Sequence, residues 1–444
     1  MLIIIYKNQY FIELKEVNLS FIKNIKKIVF FRKLYFFLYD IIIKYPQIIF
    51  YNYILLPKKI NSLKGKKIIR VGFEIWNVAM WKSASLYELM RKDPRFEPYV
   101  ILTPTPSRSI EQRIQDFEEI KRLCEQKKYQ IIYKNNQTEA LNYPQKLPID
   151  IIFPCQPYLP KKLTKTIQNY IFCFTNYGFS QAIAEKWNKD TLMGNIFLAW
   201  FVETVLEIND SKKIAFNRAN NRYVTGHVYA DTLIRHMKNP LIDQWKIQDK
   251  KKKRVIWAPH FSISENNLNY SIFLKIAEIM LEIVEQYRDK IQWVFKPHPF
   301  LYDQLCNLPS WGKERTDEYY KKWAEGDNTQ YESGEYADLF ACSDAMIHDC
   351  GSFIVEYLYT KKPCLYLNNS DIQMNTLGKI ALENYYRGDN RKSIESFLDE
   401  VVLQGNDVLM NCRESFYREY LVPPNGKSAA ENVTDVICKK IWNK

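Results

Sequence analysis

From Ile68 onward one unit recurs along the chain. A short run of apolar, β-branched or aromatic residues is followed by a turn marked with Pro, Gly or His, and then by a stretch of helical periodicity. Ile68–Glu74 (IIRVGFE), Pro98–Leu102 (PYVIL), Tyr129–Tyr133 and Ile149–Phe153 are such runs, and Ile171–Phe174 and Ile196–Val202 continue the pattern. Helices are expected over Trp76–Arg91 and Ile110–Glu125. Runs that are apolar throughout fit strands buried on both faces, the signature of a parallel sheet covered by helices on each side.

A second series begins near Arg222. RYVT, RVIWA (Arg254–Ala258), IQWVF (Ile291–Phe295), AMIH (Ala345–His348) and CLYL (Cys364–Leu367) read as strands, with helices over 272–287, 336–342 and 352–360. The expected fold class is α/β, with two Rossmann-like domains facing a cleft. The first covers 65–220 and the second 221–444, with 1–64 as a helical extension. Helices near 393–402 and 428–442 finish the second domain or cross back to the first. A length of 444 residues and 47% hydrophobic content suit two cores rather than one. The nine cysteines are an odd number, and none forms CxxC or a zinc spacing. A disulfide framework is therefore not expected, and the reading is a reducing, cytoplasmic compartment with no metal and no cofactor.

The net charge of +13 is concentrated at the start. Residues 1–64 hold eleven Lys and Arg against Glu13, Glu16 and Asp40, a net +8. Large apolar residues lie between the charges, from Ile28 to Leu56. A spanning helix needs roughly 20 apolar residues with few charges, and Asp40, Lys44 and Pro46 interrupt this run. The pattern instead suits helices that lie on an anionic membrane surface or dock on the enzyme. Nucleic acid is not the expected partner, because the aromatics form apolar runs rather than spaced stacking platforms.

In open parallel sheets ligands bind beyond the carboxyl ends of the strands. Three strand ends in the second half carry reactive residues: APHFS (Ala258–Ser262) presents His260, with Ser264 nearby; FKPHP (Phe295–Pro299) presents Lys296 and His298; and His348-Asp349-Cys350-Gly351-Ser352 opens a helix. Free N–H groups at a helix start favour an anion, Gly351 permits close approach, and Ser352 caps the helix or binds a phosphate oxygen. Glu356, one turn on, is placed to meet a hydroxyl. His227 follows another strand end, and His236 reads as a residue on a helix surface.

The stretch from Ser343 to Leu367 (SDAMIHDCGSFIVEYLYTKKPCLYL), with FKPHP, IWAPHFS and VTGHVYAD (Val224–Asp231), resembles the CDP-glycerol glycerophosphotransferase family over about 220–370. The resemblance implies a GT-B fold and transfer of glycerol phosphate from CDP-glycerol to a teichoic-acid-type polymer or lipid-linked acceptor, by a cytoplasmic protein peripheral to the inner membrane face. It implies that His298 and Ser352 bind the donor diphosphate and that Asp349, Gly351 and Glu356 shape that site, with Lys296 and His348 beside it. A His-Gly element of the family's first domain, the expected base, has no counterpart: Thr175-Asn176-Tyr177-Gly178 lacks His. His260, Glu74 and Asp150 are the candidate replacements, with His260 and His298 taken as catalytic. A GT-B glycosyltransferase using a nucleotide sugar is the first alternative. An envelope-assembly scaffold and a sugar-nucleotide epimerase are the others.

Overall fold

The computed structural model describes residues 34–103, 109–133, 147–157, 163–165, 167–179, 185–263, 270–367 and 374–442. The basic residues before 34, the prolines at 104 and 106, and Ser264 lie outside them.

Two parallel sheets organise the chain. The first has the order β3-β2-β1-β4-β5-β6-β7, with β1 at Ile69–Ile75, β2 at Phe96–Leu102, β3 at Ile131–Ile132, β4 at Ile151–Phe153, β5 at Ile171–Thr175, β6 at Ala199–Val202 and β7 at Arg222–Val224. The second has the order β10-β9-β8-β11-β12-β13, with β8 at Lys253–Ala258, β9 at Ile291–Phe295, β10 at Thr329–Tyr331, β11 at Ala345–His348, β12 at Cys364–Tyr366 and β13 at Tyr386–Arg387. Each is wound outward in both directions from its centre, with helices as crossovers. The central strands β4, β6, β9 and β11 are buried at every position, which is why they carry no polar alternation.

The C-terminal helix Ala429–Trp442 leaves the second half and packs on the first. Val433, Ile437 and Ile441 join the core formed by Val71, Phe73 and Ile151. Asp231 receives the N–H groups of Ala429 (2.7 Å) and Ala430 (2.9 Å), capping this helix. The two crossing segments meet at Gly226. Its φ is +79°, and a Cβ there would come within 3.1 Å of the Pro423 backbone, so only glycine fits.

The chain is helical from 34 to 64. Pro46, which interrupts the apolar run, does not break the helix. It sits instead at the first turn of Tyr45–Phe50, flanked by the wide turns Asp40–Lys44 and Tyr51–Leu55. Widened i→i+5 turns absorb the missing N–H. One face of this helix docks on the first half: Lys44 Nζ pairs with Asp190 at 2.9 Å, Tyr51 OH donates to the Tyr170 carbonyl at 2.9 Å, and Ile48 and Tyr51 are buried. The other face leaves Tyr35, Ile42 and Tyr53 in solvent, 65%, 66% and 76% exposed. Among the described residues, no helix is long and apolar enough to cross a membrane.

Candidate active site

The three motif-bearing strands are neighbours, in the order β9-β8-β11, so FKPHP, APHFS and HDCGS emerge side by side. The His298 N–H donates to the Pro259 carbonyl at 2.9 Å, and the His260 and His298 rings are 5.1 Å apart. Lys296 is buried, donates to the Gly334 carbonyl at 2.8 Å, and has its pKa pushed down to about 8 by burial.

One device sets four histidines. His227, His260, His298 and His348 each follow or end a strand. Each Nδ1 accepts the backbone N–H two residues on, from Tyr229, Ser262, Phe300 and Cys350, at 3.1–3.2 Å. A backbone N–H can only donate, which places the ring proton of His260 and His298 on Nε2, whereas the His348 Nδ1 also lies 3.1 Å from the Cys350 carbonyl, which can only accept. Burial drives the pKa of His260 down to about 3 and that of His298 to about 4, with the other histidine and Lys296, respectively, as the lesser causes. At neutral pH both rings are therefore uncharged Nε2–H donors. In this tautomer His260 gives a hydrogen bond from Nε2, and its Nδ1 lies 2.8 Å from Ser262 Oγ.

The third motif divides differently from what its sequence suggests. His348 is fully buried between Tyr366 and Tyr385, with ring centroids 5.4 and 5.3 Å away. It packs in the core rather than standing exposed at the strand end. Asp349 is also fully buried. It accepts from the His260 N–H, Ser271 Oγ and the Ile272 N–H, so it ties β11 to the loop after β8 and to the helix Phe273–Gln286. Ser352 makes no capping bond, and its Oγ lies 3.6 Å from Cys350 Sγ. The segment it opens is one α turn, Phe353–Glu356, continued by the tighter helix Tyr357–Thr360. At Gly351 a Cβ would meet only the Tyr270 ring, at 3.7 Å, so the fold itself does not demand glycine. Glu356, 2% exposed, accepts from the Tyr336 hydroxyl.

The replacement bases in the first half are occupied. Glu74 joins three strand ends, accepting from Thr103 Oγ1 and the Cys155 N–H at 3.0 Å each. Asp150 lies at the amino end of β4, bonded to Lys66 and the Arg70 N–H, away from the carboxyl edge. His236 is not on the surface but pairs with Asp338 at 2.6 Å. Two cleft residues escaped the sequence reading. Glu203, just past β6, accepts from Asn176 Nδ2 at 3.0 Å, and burial pushes its carboxyl up to about 7. Lys82, in the loop after β1, reaches the second half and donates to Tyr336 OH at 3.0 Å. Neither stands in a motif. A lone Lys after Trp, or Glu after an apolar run, gives no local signal.

Residues 208–439 match the model of the CDP-glycerol:poly(glycerophosphate) glycerophosphotransferase family. The chain belongs to this family. The glycerophosphotransferase is thus a transferase enzyme, and the nucleotide-sugar alternative is not favoured. Among solved structures it is similar to the wall teichoic acid polymerase TagF, at 14% identity and TM-score 0.56, with 93% of this chain and 98% of that one covered. It is also similar to a UDP-N-acetylglucosamine 2-epimerase, at 14% identity and TM-score 0.54, with 84% and 96% covered. The Neisseria meningitidis 2-epimerase bound to UDP-GlcNAc follows at 14% and 0.50, with 84% and 99% covered. At such identities the likeness is one of fold, and that fold is GT-B. Among curated proteins none matches the chain in sequence.

The buried imidazoles make a prediction for stability. The pKa of His348 is lowered by burial to about 3, while the unfolded ring titrates near 6.5. The native state thus binds fewer protons than the unfolded one between these values, and the contribution of His348 is lost as pH falls through that window. Asn in its place accepts the same i+2 N–H but cannot be protonated. Chemical denaturation of wild type and His348→Asn from pH 7 to 5 is expected to shift the gap in favour of the variant by about 2 kcal/mol in total, most of it below about pH 6.5. A gap that does not move with pH sinks the assignment.

Proposed function

We propose that the protein transfers glycerol phosphate from CDP-glycerol to a lipid-linked or polymeric acceptor at an anionic membrane surface. His260, Lys296 and His298 hold the donor diphosphate, with the Gly351–Ser352 backbone beside them. The observation that carries this reading is the pair of neutral Nε2–H donors on adjacent strand ends beside a buried lysine. Two hydrogen-bond donors and one cation match a diphosphate, and they do so without excess positive charge. Gly351, which the fold does not require, leaves room for phosphate oxygens to approach the backbone. Asp349 is a positioning residue, fixing the loop that carries His260.

An acceptor hydroxyl oxygen attacks the phosphorus that bears the glycerol. The new P–O bond forms as the bond to the bridging oxygen breaks, CMP leaves carrying that oxygen and the negative charge, and the hydroxyl proton passes to solvent water. Such chemistry depends on positioning and charge neutralisation, which the cluster supplies.

Calorimetry with CDP-glycerol, against UDP- and GDP-sugars, tests the donor. Saturable CDP-glycerol binding that His298→Ala weakens by about 1.5–3 kcal/mol is expected, the range for a hydrogen bond to a charged group. Binding to a nucleotide sugar alone would overturn the donor assignment.

The membrane part rests on the helix at 34–64. Its outer face carries Phe36, Phe37 and Ile42, and a groove of about 340 Å³ runs between it and Leu163. Aromatic and aliphatic side chains of this kind insert at the acyl boundary while basic neighbours meet headgroups. Sedimentation with vesicles containing phosphatidylglycerol is expected to pull down wild type and to lose at least tenfold affinity on Phe36→Asp/Phe37→Asp. Equal recovery of both proteins would rule this face out.

A further inference from the structure

We infer that Lys82 is the group by which the first half grips the phosphate being transferred. This rests on the donor reading above and adds to it a ligand from the opposite side of the cleft.

Lys82 is 8% exposed, and its Nζ is held in an unusual way. It lies 4.0 Å from the centre of the Tyr229 ring and 4.5 Å from that of Tyr336, and it donates to Tyr336 OH at 3.0 Å. Among the described residues no carboxylate lies within ion-pair distance of it, although every other lysine that the fold buries so deeply in the first half has one: Lys44 pairs with Asp190 and Lys189 with Glu207. A buried ammonium held by two rings and one hydroxyl has given up hydration with no carboxylate in direct contact, the nearest link to one being through the Tyr336 hydroxyl to Glu356. That leaves it available to an anion.

The anion's position follows from the neighbours. Tyr336, which holds Lys82, has its ring centre 5.6 Å from Lys296 Nζ. The charge of Lys82 acts on Lys296, on His227 and on Glu356. Lys82 therefore stands within electrostatic reach of the donor cluster but is carried by the acceptor half, on the loop after β1. The phosphorus that changes partners lies between the donor half and the incoming hydroxyl. As the bond to CMP breaks, charge spreads over its equatorial oxygens. A lysine on a flexible four-carbon stem is suited to exchange the Tyr336 hydroxyl for one of these oxygens. Its part is to hold the oxygen in place, and it transfers no proton.

The competing account is that Lys82 merely latches the two halves through Tyr336. Calorimetry with CDP-glycerol and with CMP, together with CMP release in turnover, separates the two. Lys82→Met keeps the stem over the rings and removes the charge. The expected result is CMP affinity within threefold of wild type, CDP-glycerol weakened about tenfold, and kcat lowered about 10²-fold or more. Lys82→Arg, which keeps the charge, is expected to recover part of kcat. Should Lys82→Met not fold, Lys82→Arg alone carries the test, with CMP binding kept and kcat reduced. A kcat within threefold in Lys82→Met, or CMP weakened as much as CDP-glycerol, overturns the assignment in favour of a latch. Wild type that binds no CDP-glycerol, or a His298→Ala variant that binds it unchanged, overturns the donor reading instead.

Discussion

Asp349→Ala is expected to destabilise the protein by about 3–6 kcal/mol in chemical denaturation. The carboxylate is fully buried and receives the His260 N–H, the Ile272 N–H at 2.9 Å and the Ser271 hydroxyl at 2.8 Å. Truncation strands these three donors where water does not reach, at about 1–2 kcal/mol each, the lower part of the usual range for an unsatisfied buried donor. It also releases the loop carrying His260, so donor affinity is expected to fall with stability. Burial pushes the Asp349 carboxyl up to about 7, above the roughly 3.9 of an unfolded aspartate. The native state then holds a proton that the unfolded state has lost. The resulting stability is complete below the unfolded value and disappears as pH rises through 7. Asp349→Asn, which does not titrate, should thus close its deficit relative to wild type between pH 4 and 8. A loss below about 1 kcal/mol for Asp349→Ala would mean the loops find other partners.

The second large effect concerns turnover. His260→Ala/His298→Ala is expected to lower kcat/KM by about 10²–10³-fold, the range for loss of preorganised donors at a reacting oxyanion. Because both rings are already neutral well below pH 6, with pKa values near 3 and 4, wild-type kcat/KM should show no inflection from them between pH 5.5 and 8. Glutamine in place of His298 keeps an N–H donor and is expected to recover part of the rate. A double variant within fivefold of wild type would remove these histidines from the reaction.

The strands were readable because a strand buried on both faces must be apolar throughout. β8, β9 and β11 announce themselves and end where Pro or His appears. That they are adjacent is a property of topology, which spacing along the chain does not encode. The roles of the residues at those ends were less readable, because they turn on which way a side chain points. His348 and Asp349 are fully buried, one position apart, while the His260 and His298 rings lie against each other, 5.1 Å apart. His236 looked like a surface residue because its partner, Asp338, lies 102 positions away. Asp150 looked plausible as a base only while the direction of β4 was ignored. At the N-terminus the wide turns that let the helix pass Pro46 have no signature in the sequence.

The crossing at Gly226 and Pro423 has a mechanical consequence. The halves are joined twice, by the chain entering at 224–228 and by the chain returning ahead of Ala429–Trp442, and the two joints touch. A single tether would let one half swivel freely about the other. Two joints pinned side by side act as a door hinge, permitting rotation about the line through both and resisting twist. The Lys82–Tyr336 contact spans the same boundary between the halves, so a joint that resists twist also keeps that pair in register.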